Sequence, residues 1–314
     1  MKSFSLSPAA FRRLALVATV LVAFIIVTGG AVRVTGSGLG CSDWPNCEAG
    51  RLTPRSATDY NAMVEFVNRM ITGLVSIVVI VAVLGTLVRK PRRRDLTWLS
   101  FGLVLGVLAQ IILGAFVVLL ELKPIAVIAH FLVSIALLAC ALVLYDRSGY
   151  PDDGGGTEPA VPVVLRNAAI VLTALASLVL VLGTVVTATG PHGGDDKAAR
   201  LAIQLTSAAR VHSVAVWVFL AACVVTFVIA RRVGGSARFR RRLGWVFVFA
   251  VAQGAVGYIQ YFNNVPAPLV LVHIAGAVAV FTAVTEVLLS CWRPGASTGS
   301  PGVTDTKRDS LTPV

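Results

Sequence analysis

The stretch AQIILGAFVVLLELKPIAVIAH, residues 109–130, recurs in the second half of the chain as AQGAVGYIQYFNNVPAPLVLVH, residues 252–273. The two stretches have equal length and share a glutamine, a glycine and the terminal histidine at the same positions. A polar residue that returns at a fixed position in a repeated apolar chain is typical of a duplicated membrane bundle. We therefore expect two related binding sites, one in each half.

A second pair of equivalent positions, earlier in each half, includes a third histidine. His212 precedes His273 by 61 residues, and Asn68 precedes His130 by 62 residues. Three of the four histidines in the chain therefore occupy equivalent points of the repeat, and the fourth equivalent point is Asn68. The remaining histidine, His192, lies in the polar segment PHGGDDK, and we expect it to be solvated.

The chain is far more apolar than a soluble domain, with a mean hydropathy of +0.84 and 56% hydrophobic residues. Its long apolar stretches can each cross a bilayer, and they must be helical because backbone groups cannot stay unpaired in lipid. The first stretch lacks a clear small-residue cleavage site, so we interpret it as an uncleaved helix. The sequence predicts an all-α integral membrane protein with eight transmembrane helices as two pseudo-repeated four-helix bundles. The expected helices lie near 14–32, 64–88, 96–120, 125–145, 164–188, 208–230, 243–261 and 267–291.

The net charge of +12 does not indicate a nucleic-acid partner, because its distribution follows the predicted loops. The termini and the even-numbered connections hold 19 of the 27 basic residues. This positive-inside pattern predicts that both termini are cytoplasmic and that the lipid bilayer surrounds the helices. We expect a four-helix half at 1–148, a cytoplasmic linker at 149–163, a four-helix half at 164–291 and a disordered cytoplasmic tail at 292–314.

The repeat histidines His130, His212 and His273 all fall within ~10 Å of the outer ends of their helices. Polar groups inside a membrane are costly and often functional, although a lone histidine can simply hydrogen-bond a neighbouring helix. Two neutral imidazoles from different helices, as in His212 and His273, suit axial ligation of haem iron. Zinc is less favoured, because it usually requires three or four ligands and no carboxylate lies in the adjacent helix turns.

Glu65 is the sole acidic residue near the polar cluster of the first half, and it lies three and four residues before Asn68 and Arg69. These side chains share one helix face. A carboxylate buried there could shuttle protons or stabilise developing positive charge. A salt bridge to Arg69 is the structural alternative. The second half has alanine near the equivalent point, so we expect the first half to carry the chemistry and the second to hold a cofactor.

The five cysteines divide by compartment. Cys41 and Cys47 lie in the external segment CSDWPNC, where the environment is oxidising, and they are close enough in sequence to form a disulfide. That disulfide could be a structural staple or a redox-active pair, since a short exposed loop is accessible to exchange. Cys140, Cys223 and Cys291 fall in the inner parts of three helices, and we expect them to be reduced packing residues.

The segment GGAVRVTGSGLGCSDWPNC at 29–47, followed by EFVNR at 65–69 and the repeat residues, resembles the haem A synthase family. The resemblance extends over roughly residues 12–291. It implies oxidation of the C8 methyl of haem O to a formyl group, which gives haem A for cytochrome oxidase. It also implies a role for each of the residues singled out above: a b-type haem between His212 and His273, a substrate haem on His130, Glu65 as the catalytic carboxylate, and Cys41 with Cys47 as the external pair.

One position departs from the family pattern. The family has Glu-x-x-His-Arg, whereas this chain has Asn68 in place of that histidine. Asparagine is a weak iron ligand, so the resemblance implies a substrate haem with one protein imidazole, from His130. The opposite face of that haem would be open or filled by water.

Two other classes of protein compete with this interpretation. A membrane b-type cytochrome for electron transfer would use His212 and His273 but would not require Glu65. A transporter is disfavoured, because transporter sites use broken helices near the midplane and these polar residues lie towards one face. The expected location is a bacterial plasma membrane, with haem O synthase as a partner. The electron carrier, membrane-bound or quinone-linked, and a homo-oligomeric state stay open.

Overall fold

A computed structural model of the chain describes residues 5–152 and 156–295. Within those ranges the predicted all-α architecture is confirmed, because eight helices are long and apolar enough to cross a membrane. They are α1 (Pro8–Val34), α2 (Tyr60–Val88), α3 (Arg94–Leu119), α4 (Pro124–Ser148), α5 (Val163–Thr189), α6 (Leu205–Arg232), α7 (Ala237–Phe262) and α8 (Ala267–Leu289). We call the end of the molecule that carries Cys41 and Cys47 the loop end, and the opposite end the basic end.

Several helices extend beyond the apolar runs that predict them. The helix α1 begins at Pro8 instead of 14, and Ser7 caps it by accepting a hydrogen bond from the Ala10 amide. The helix α7 begins at Ala237 instead of 243, with Ser236 as the capping residue. A polar first turn does not lengthen the apolar run from which a helix is predicted, so the prediction begins too late. A capping side chain satisfies the free amides of that turn and allows the helix to start there.

The eight helices form two rings of four. In the first ring each of α1, α2, α3 and α4 packs on the next and α4 closes back on α1, and α5 to α8 repeat that arrangement. The rings meet where α1 and α4 contact α5 and α8. Consequently α2 and α4 stand at opposite corners of the first ring, and α6 and α8 stand at opposite corners of the second.

The repeat also shows in the backbone of two tight turns at the loop end. The α3–α4 turn places Glu121 and Leu122 in the left-handed region, with φ of 52° and 60°, and the α7–α8 turn does the same with Asn264 and Val265, at 60° and 57°. The second residue of each turn donates its amide to the carbonyl five residues earlier. Left-handed backbone is unfavourable for leucine and valine, so its presence in both halves indicates that the turn geometry belongs to the repeated unit.

The expected tail begins with ordered structure, which corrects the assignment of residues 292–314. A strand β1 (Thr157–Pro159) from the linker pairs antiparallel with a strand β2 (Trp292–Pro294) after α8. The Ala160 amide donates to the Cys291 carbonyl at 2.8 Å at one end of the ladder. Pairing between distant segments leaves no periodic signal in either one, so the sequence alone did not reveal it. The rest of that prediction, at 296–314, and linker residues 153–155 lie outside the described residues.

Arg89 anchors the linker at the basic end. Its side chain is 1% exposed and pairs with Asp152, which follows α4, at 2.6 Å. The guanidinium also donates to the Pro91 carbonyl and lies 6.0 Å from the centre of the Phe11 ring of α1. One buried cation therefore connects α1, the α2–α3 connection and the start of the linker.

We expect Arg89→Gln to lower the stability of the protein in detergent by about 3 kcal/mol, because it removes a buried cation and leaves Asp152 only the longer contact with Arg93, at 3.9 Å. The thermal unfolding midpoint, followed by circular dichroism, measures this change. Arg94→Gln is the matched control, since Arg94 is exposed at the start of α3. Equal midpoints for the two variants would contradict the anchoring role.

Candidate functional site

The polar repeat residues lie at one depth and at opposite corners of each ring. His212 and His273 are seven and six residues after the first residues of α6 and α8. His130 is six residues into α4, and Asn68 is eight residues into α2. With a rise of about 1.5 Å per residue, all four lie roughly 9–12 Å from the loop end of their helices.

Each imidazole packs against a glycine of the preceding helix. The three pairs are Gly183 with His212, Gly257 with His273, and Gly114 with His130. A Cβ at the glycine would lie 3.2 Å from Cε1 of the ring in the first two pairs and 3.6 Å away in the third. Because 3.2 Å is tighter than most carbon contacts, a side chain in place of either glycine of the second ring would push its imidazole out of position.

The fourth corner keeps its glycine although the histidine is missing. Gly29 of α1 corresponds to Gly183 of α5, since each lies six residues before the threonine that closes its helix, Thr35 and Thr189. A Cβ at Gly29 would have no atom within 4 Å. The buried Oδ1 of Asn68 has no hydrogen-bond partner. Gly29 and Gly183 thus extend to the first helix of each half the repeat signal that Gly114 and Gly257 give in the third.

The donor set of the second ring fits an iron-porphyrin. The buried Nδ1 atoms of His130, His212 and His273 have no hydrogen-bond partner. Among the described residues no three His, Cys, Asp or Glu side chains gather in one place. Two imidazoles at one depth on diagonal helices can provide both axial ligands of a haem.

The repeated glutamines position the histidine helices. Gln110 of α3 donates to the backbone carbonyl of His130 at 3.0 Å and to Ser134 Oγ at 2.7 Å. Gln253 of α7 donates to the carbonyl of His273 at 2.5 Å. Each glutamine therefore clamps the histidine helix to its neighbour at the level of the imidazole, which explains why it recurs at a fixed distance from the histidine.

Glu65 is buried, with a side chain that is 7% exposed, and both of its oxygens are hydrogen-bonded. Oε2 accepts from the backbone amide of Cys41 at 2.8 Å, and Oε1 accepts from Nη2 of Arg69 at 2.5 Å. The salt bridge to Arg69 that the sequence allowed is therefore present. The contact with Cys41 had no signal in the sequence, because it depends on how the loop folds back over α2.

Arg69 extends this network into the cysteine loop. Beyond Glu65, its guanidinium donates to the carbonyls of Asp43 at 3.1 Å and Asn46 at 2.8 Å. The loop also packs very close to α2: a Cβ at Gly40 would overlap the backbone at Asn61. Glycine is required there for the loop to reach the carboxylate. The loop, Arg69 and Glu65 thus form one connected unit at the loop end of the first ring.

The predicted disulfide between Cys41 and Cys47 is present in the structure. Both cysteines are fully buried, and they pack with Ala62 and Phe66 on the first turns of α2. The pair lies directly beside the Cys41 amide that binds Glu65. The disulfide therefore holds the end of the network in place, and its sulfur atoms are not at the surface of the loop.

His192 does not behave as a solvated loop residue. It is half-buried, and its Nε2 lies 2.8 Å from the Val265 carbonyl in the α7–α8 turn. Its own carbonyl accepts from Nε of Arg33 in α1 at 2.7 Å. The polar composition of the segment suggested exposure, but the two halves fold their loops together here and enclose the ring.

Fold and site together define a multi-pass membrane protein of two related four-helix halves, with imidazoles at three of four equivalent corners and a carboxylate network at one. Residues 12–191 match the family model for the COX15-CtaA cytochrome oxidase assembly proteins. The chain belongs to this family. The matched region includes Glu65, Asn68 and His130, whereas His212 and His273 lie beyond it and are connected to the first half by the repeat.

Curated relatives that match the chain are bacterial proteins named heme A synthase. A protein from Exiguobacterium sibiricum is 31% identical over 154 residues, which is 48% of this chain and 50% of the relative. One from Lysinibacillus sphaericus is 34% identical over 131 residues, or 41% and 42% of the two chains. One from Bacillus pumilus is 32% identical over 137 residues, or 43% and 44%. The chain thus spans about half the length of the curated relatives it matches.

We expect peptide mapping without reducing agent, on protein isolated from its native membrane, to recover Cys41 and Cys47 in one linked peptide. The three other cysteines are free in the structure and serve as internal controls: Cys140, Cys223 and Cys291. Burial raises the pKa of the Cys291 thiol to about 11, so this group should react with alkylating reagents only after denaturation. Recovery of free thiols at both loop positions would show that the disulfide is absent in the membrane.

Proposed function

We propose that the protein is a haem A synthase, which oxidises the C8 methyl group of haem O to a formyl group and so provides haem A for cytochrome oxidase. The membership in the cytochrome oxidase assembly family supports this reaction, as do relatives named heme A synthase. The observation that carries the proposal is the asymmetry of the repeat. Both rings have imidazole at the same depth, but among the described residues only the first ring has a buried carboxylate near that depth, on the helix diagonal to its imidazole.

In this proposal the second ring would hold haem b as a resident cofactor, and His212 and His273 are the residues that would bind its iron. When bound, haem b supplies one-electron transfer. The chain's own contribution is to fix the two imidazoles. Gly183 and Gly257 leave space for the two imidazoles. Gln253 fixes the backbone at His273.

The first ring receives haem O as substrate, with His130 as the protein ligand of its iron. Asn68, at the opposite corner, is a weak donor, and the unfilled space at Gly29 leaves that side less enclosed. A site with one strong ligand suits a substrate that must enter and a product that must leave. The corner that lacks a histidine is thus consistent with turnover, whereas two strong ligands in the second ring are consistent with retention.

Glu65 is proposed as the catalytic carboxylate. It could accept a proton released as the substrate is oxidised, or stabilise positive charge that develops on the substrate. Arg69 and the Cys41 amide orient it, because each binds one of its oxygens. These two contacts exclude water from the carboxylate and fix its position relative to α2. A salt bridge with a purely structural role would not need the second contact, from the Cys41 amide.

An electron-transfer cytochrome b is the second candidate, since the second ring would serve it equally well. Such a protein needs neither a second imidazole site in the first ring nor a loop folded over a buried glutamate. The distinguishing feature is therefore the unit formed by Glu65, Arg69 and the cysteine loop.

We further propose that the loop end faces the outside of a plasma membrane and that both termini are cytoplasmic. The disulfide supports this orientation, because disulfides persist in oxidising compartments. The basic connections at the other end follow the positive-inside rule. The two four-helix halves would then act as a substrate domain at 1–148 and a cofactor domain at 164–291, and haem O synthase is the expected supplier of substrate.

We expect His212→Ala or His273→Ala to abolish the low-spin haem b signal in the absorption spectrum of the purified protein, because each removes one axial ligand. His130→Ala is the control, since that imidazole lies in the first ring and the second-ring haem should survive its loss. A finer comparison uses the glycines. Gly183→Ala should perturb the same spectrum, because it crowds the His212 ring, whereas Gly29→Ala has open space and should not. Unchanged low-spin spectra in both histidine variants would disprove the ligand assignment.

We expect Glu65→Gln to retain haem b and to accumulate haem O or a partly oxidised haem, with little haem A. Glutamine has nearly the same shape but cannot carry the charge. His130→Ala should lose the substrate haem while the second-ring haem survives, and Asn68→Ala should retain more activity than His130→Ala. Extraction of the haems and mass analysis measure all three cases. A normal yield of haem A from Glu65→Gln would remove the catalytic role of this residue.

A further inference from the structure

Two guanidinium groups meet at the loop end, between the halves, without a carboxylate partner. Arg33 lies in the last turn of α1, and Arg200 lies in the connection before α6. They lie close together, because they bond the carbonyls of two adjacent residues, His192 and Pro191. Among the ion pairs of the described residues, none includes either side chain. Half-buried like charges without an ion-pair partner favour an anion that completes the site.

Backbone carbonyls hold both groups in place. Arg33 donates from Nε to the His192 carbonyl at 2.7 Å and from Nη2 to the Thr187 carbonyl at 2.9 Å. Arg200 donates from Nη2 to the Pro191 carbonyl at 2.6 Å. Nη1 of Arg200 is buried and has no hydrogen-bond partner. Three backbone carbonyls thus fix the two arginine side chains. One donor nitrogen, Nη1 of Arg200, remains without a hydrogen-bond partner.

A polar cleft of about 220 Å³ includes Arg33 and His192 in its lining. Arg200 does not line it directly but packs against two residues that do, Pro191 and Gly193. Asp195 and Asp196 also line it. Asp195 uses Oδ1 to accept from the amide of Lys197 at 2.8 Å. The cleft has room for small polar groups, although it is too small for a porphyrin.

The position of Arg33 relates the cleft to the second ring. On α5 it bonds to Thr187, four residues beyond Gly183, the glycine that contacts the first imidazole of that ring. On α1 it follows Gly30 by three residues, and a Cβ at Gly30 would contact Ile274, next to the second imidazole. Three or four residues correspond to about 5–6 Å of rise. The guanidinium therefore lies about one helical turn closer to the loop end than both imidazoles.

We propose that Arg33 and Arg200 bind the propionate carboxylates of the haem that His212 and His273 hold. This inference rests on the haem b site of the proposed function. Haem has two propionates on one edge of the macrocycle, and guanidinium is the side chain best suited to bind carboxylate through paired hydrogen bonds. Because Arg33 belongs to α1, the first half completes the cofactor site of the second and fixes the edge of the haem that faces the loop end.

The test compares haem with its dimethyl ester, which has the same macrocycle and iron but no carboxylate charge. The full-length chain is produced in a haem-deficient host and titrated with each compound in detergent, and the low-spin absorption band gives the two dissociation constants. We expect the wild-type chain to prefer haem over the ester by about tenfold or more, as for a charge-assisted hydrogen bond. Arg33→Gln and Arg200→Gln should each reduce this preference towards unity. Arg51→Gln, an exposed change on the same face, should leave it unchanged.

A wild-type chain that binds haem and the ester equally would overturn the proposal without any mutation, and so would a preference that persists in both arginine variants. An anion from another source, such as a lipid phosphate, would produce the same equal binding. If the wild-type chain bound neither compound with a low-spin spectrum, the haem b site itself would fail and the proposal with it. The two failures are therefore distinguishable by whether a low-spin haem forms.

Discussion

A side chain as large as imidazole can lie between closely packed helices only where the neighbouring helix has none, and the arrangement of both rings depends on this steric constraint. Each repeat histidine has a glycine opposite it, and in each ring a glutamine bonds the histidine carbonyl from the helix that carries one of these glycines. Glycine provides space and glutamine fixes depth. In lipid, where van der Waals packing and interhelical hydrogen bonds hold helices together, these contacts make each corner a rigid support for a ligand.

Much of this could be predicted from the sequence, because membrane spans and repeats leave long-range patterns. The eight helices follow from apolar runs, and the shared depth of His130, His212 and His273 follows from their equal spacing. What could not be predicted depends on contacts between segments without periodicity. The loop that brings the Cys41 amide to Glu65, the enclosure of His192 and the pairing of β1 with β2 all arise when distant connections fold together. The polar composition of these connections predicts exposure to solvent. In the structure they are instead buried against one another at the ends of the bundle.

The buried arginine at each end of the molecule has a different structural role. At the basic end Arg89 is neutralised by Asp152, so the cation serves to connect elements of the fold. At the loop end Arg69 is neutralised by Glu65 but also bonds several loop carbonyls. The same side chain therefore holds the loop in position against α2. Burial of a charged pair is costly unless every lone pair and proton is satisfied, and the loop carbonyls and the Cys41 amide meet that requirement.

The vacant space beside Gly29 has a consequence for how the two halves diverged. Asparagine and histidine codons differ by a single base, so one transversion separates Asn68 from the residue found at the other three corners. The duplicated fold has kept the small residue that a bulky ring needs, although no ring is there to use it. The first half therefore lacks a fourth imidazole but has the space that would accept one, and the two forms of this corner are one mutational step apart on the same backbone.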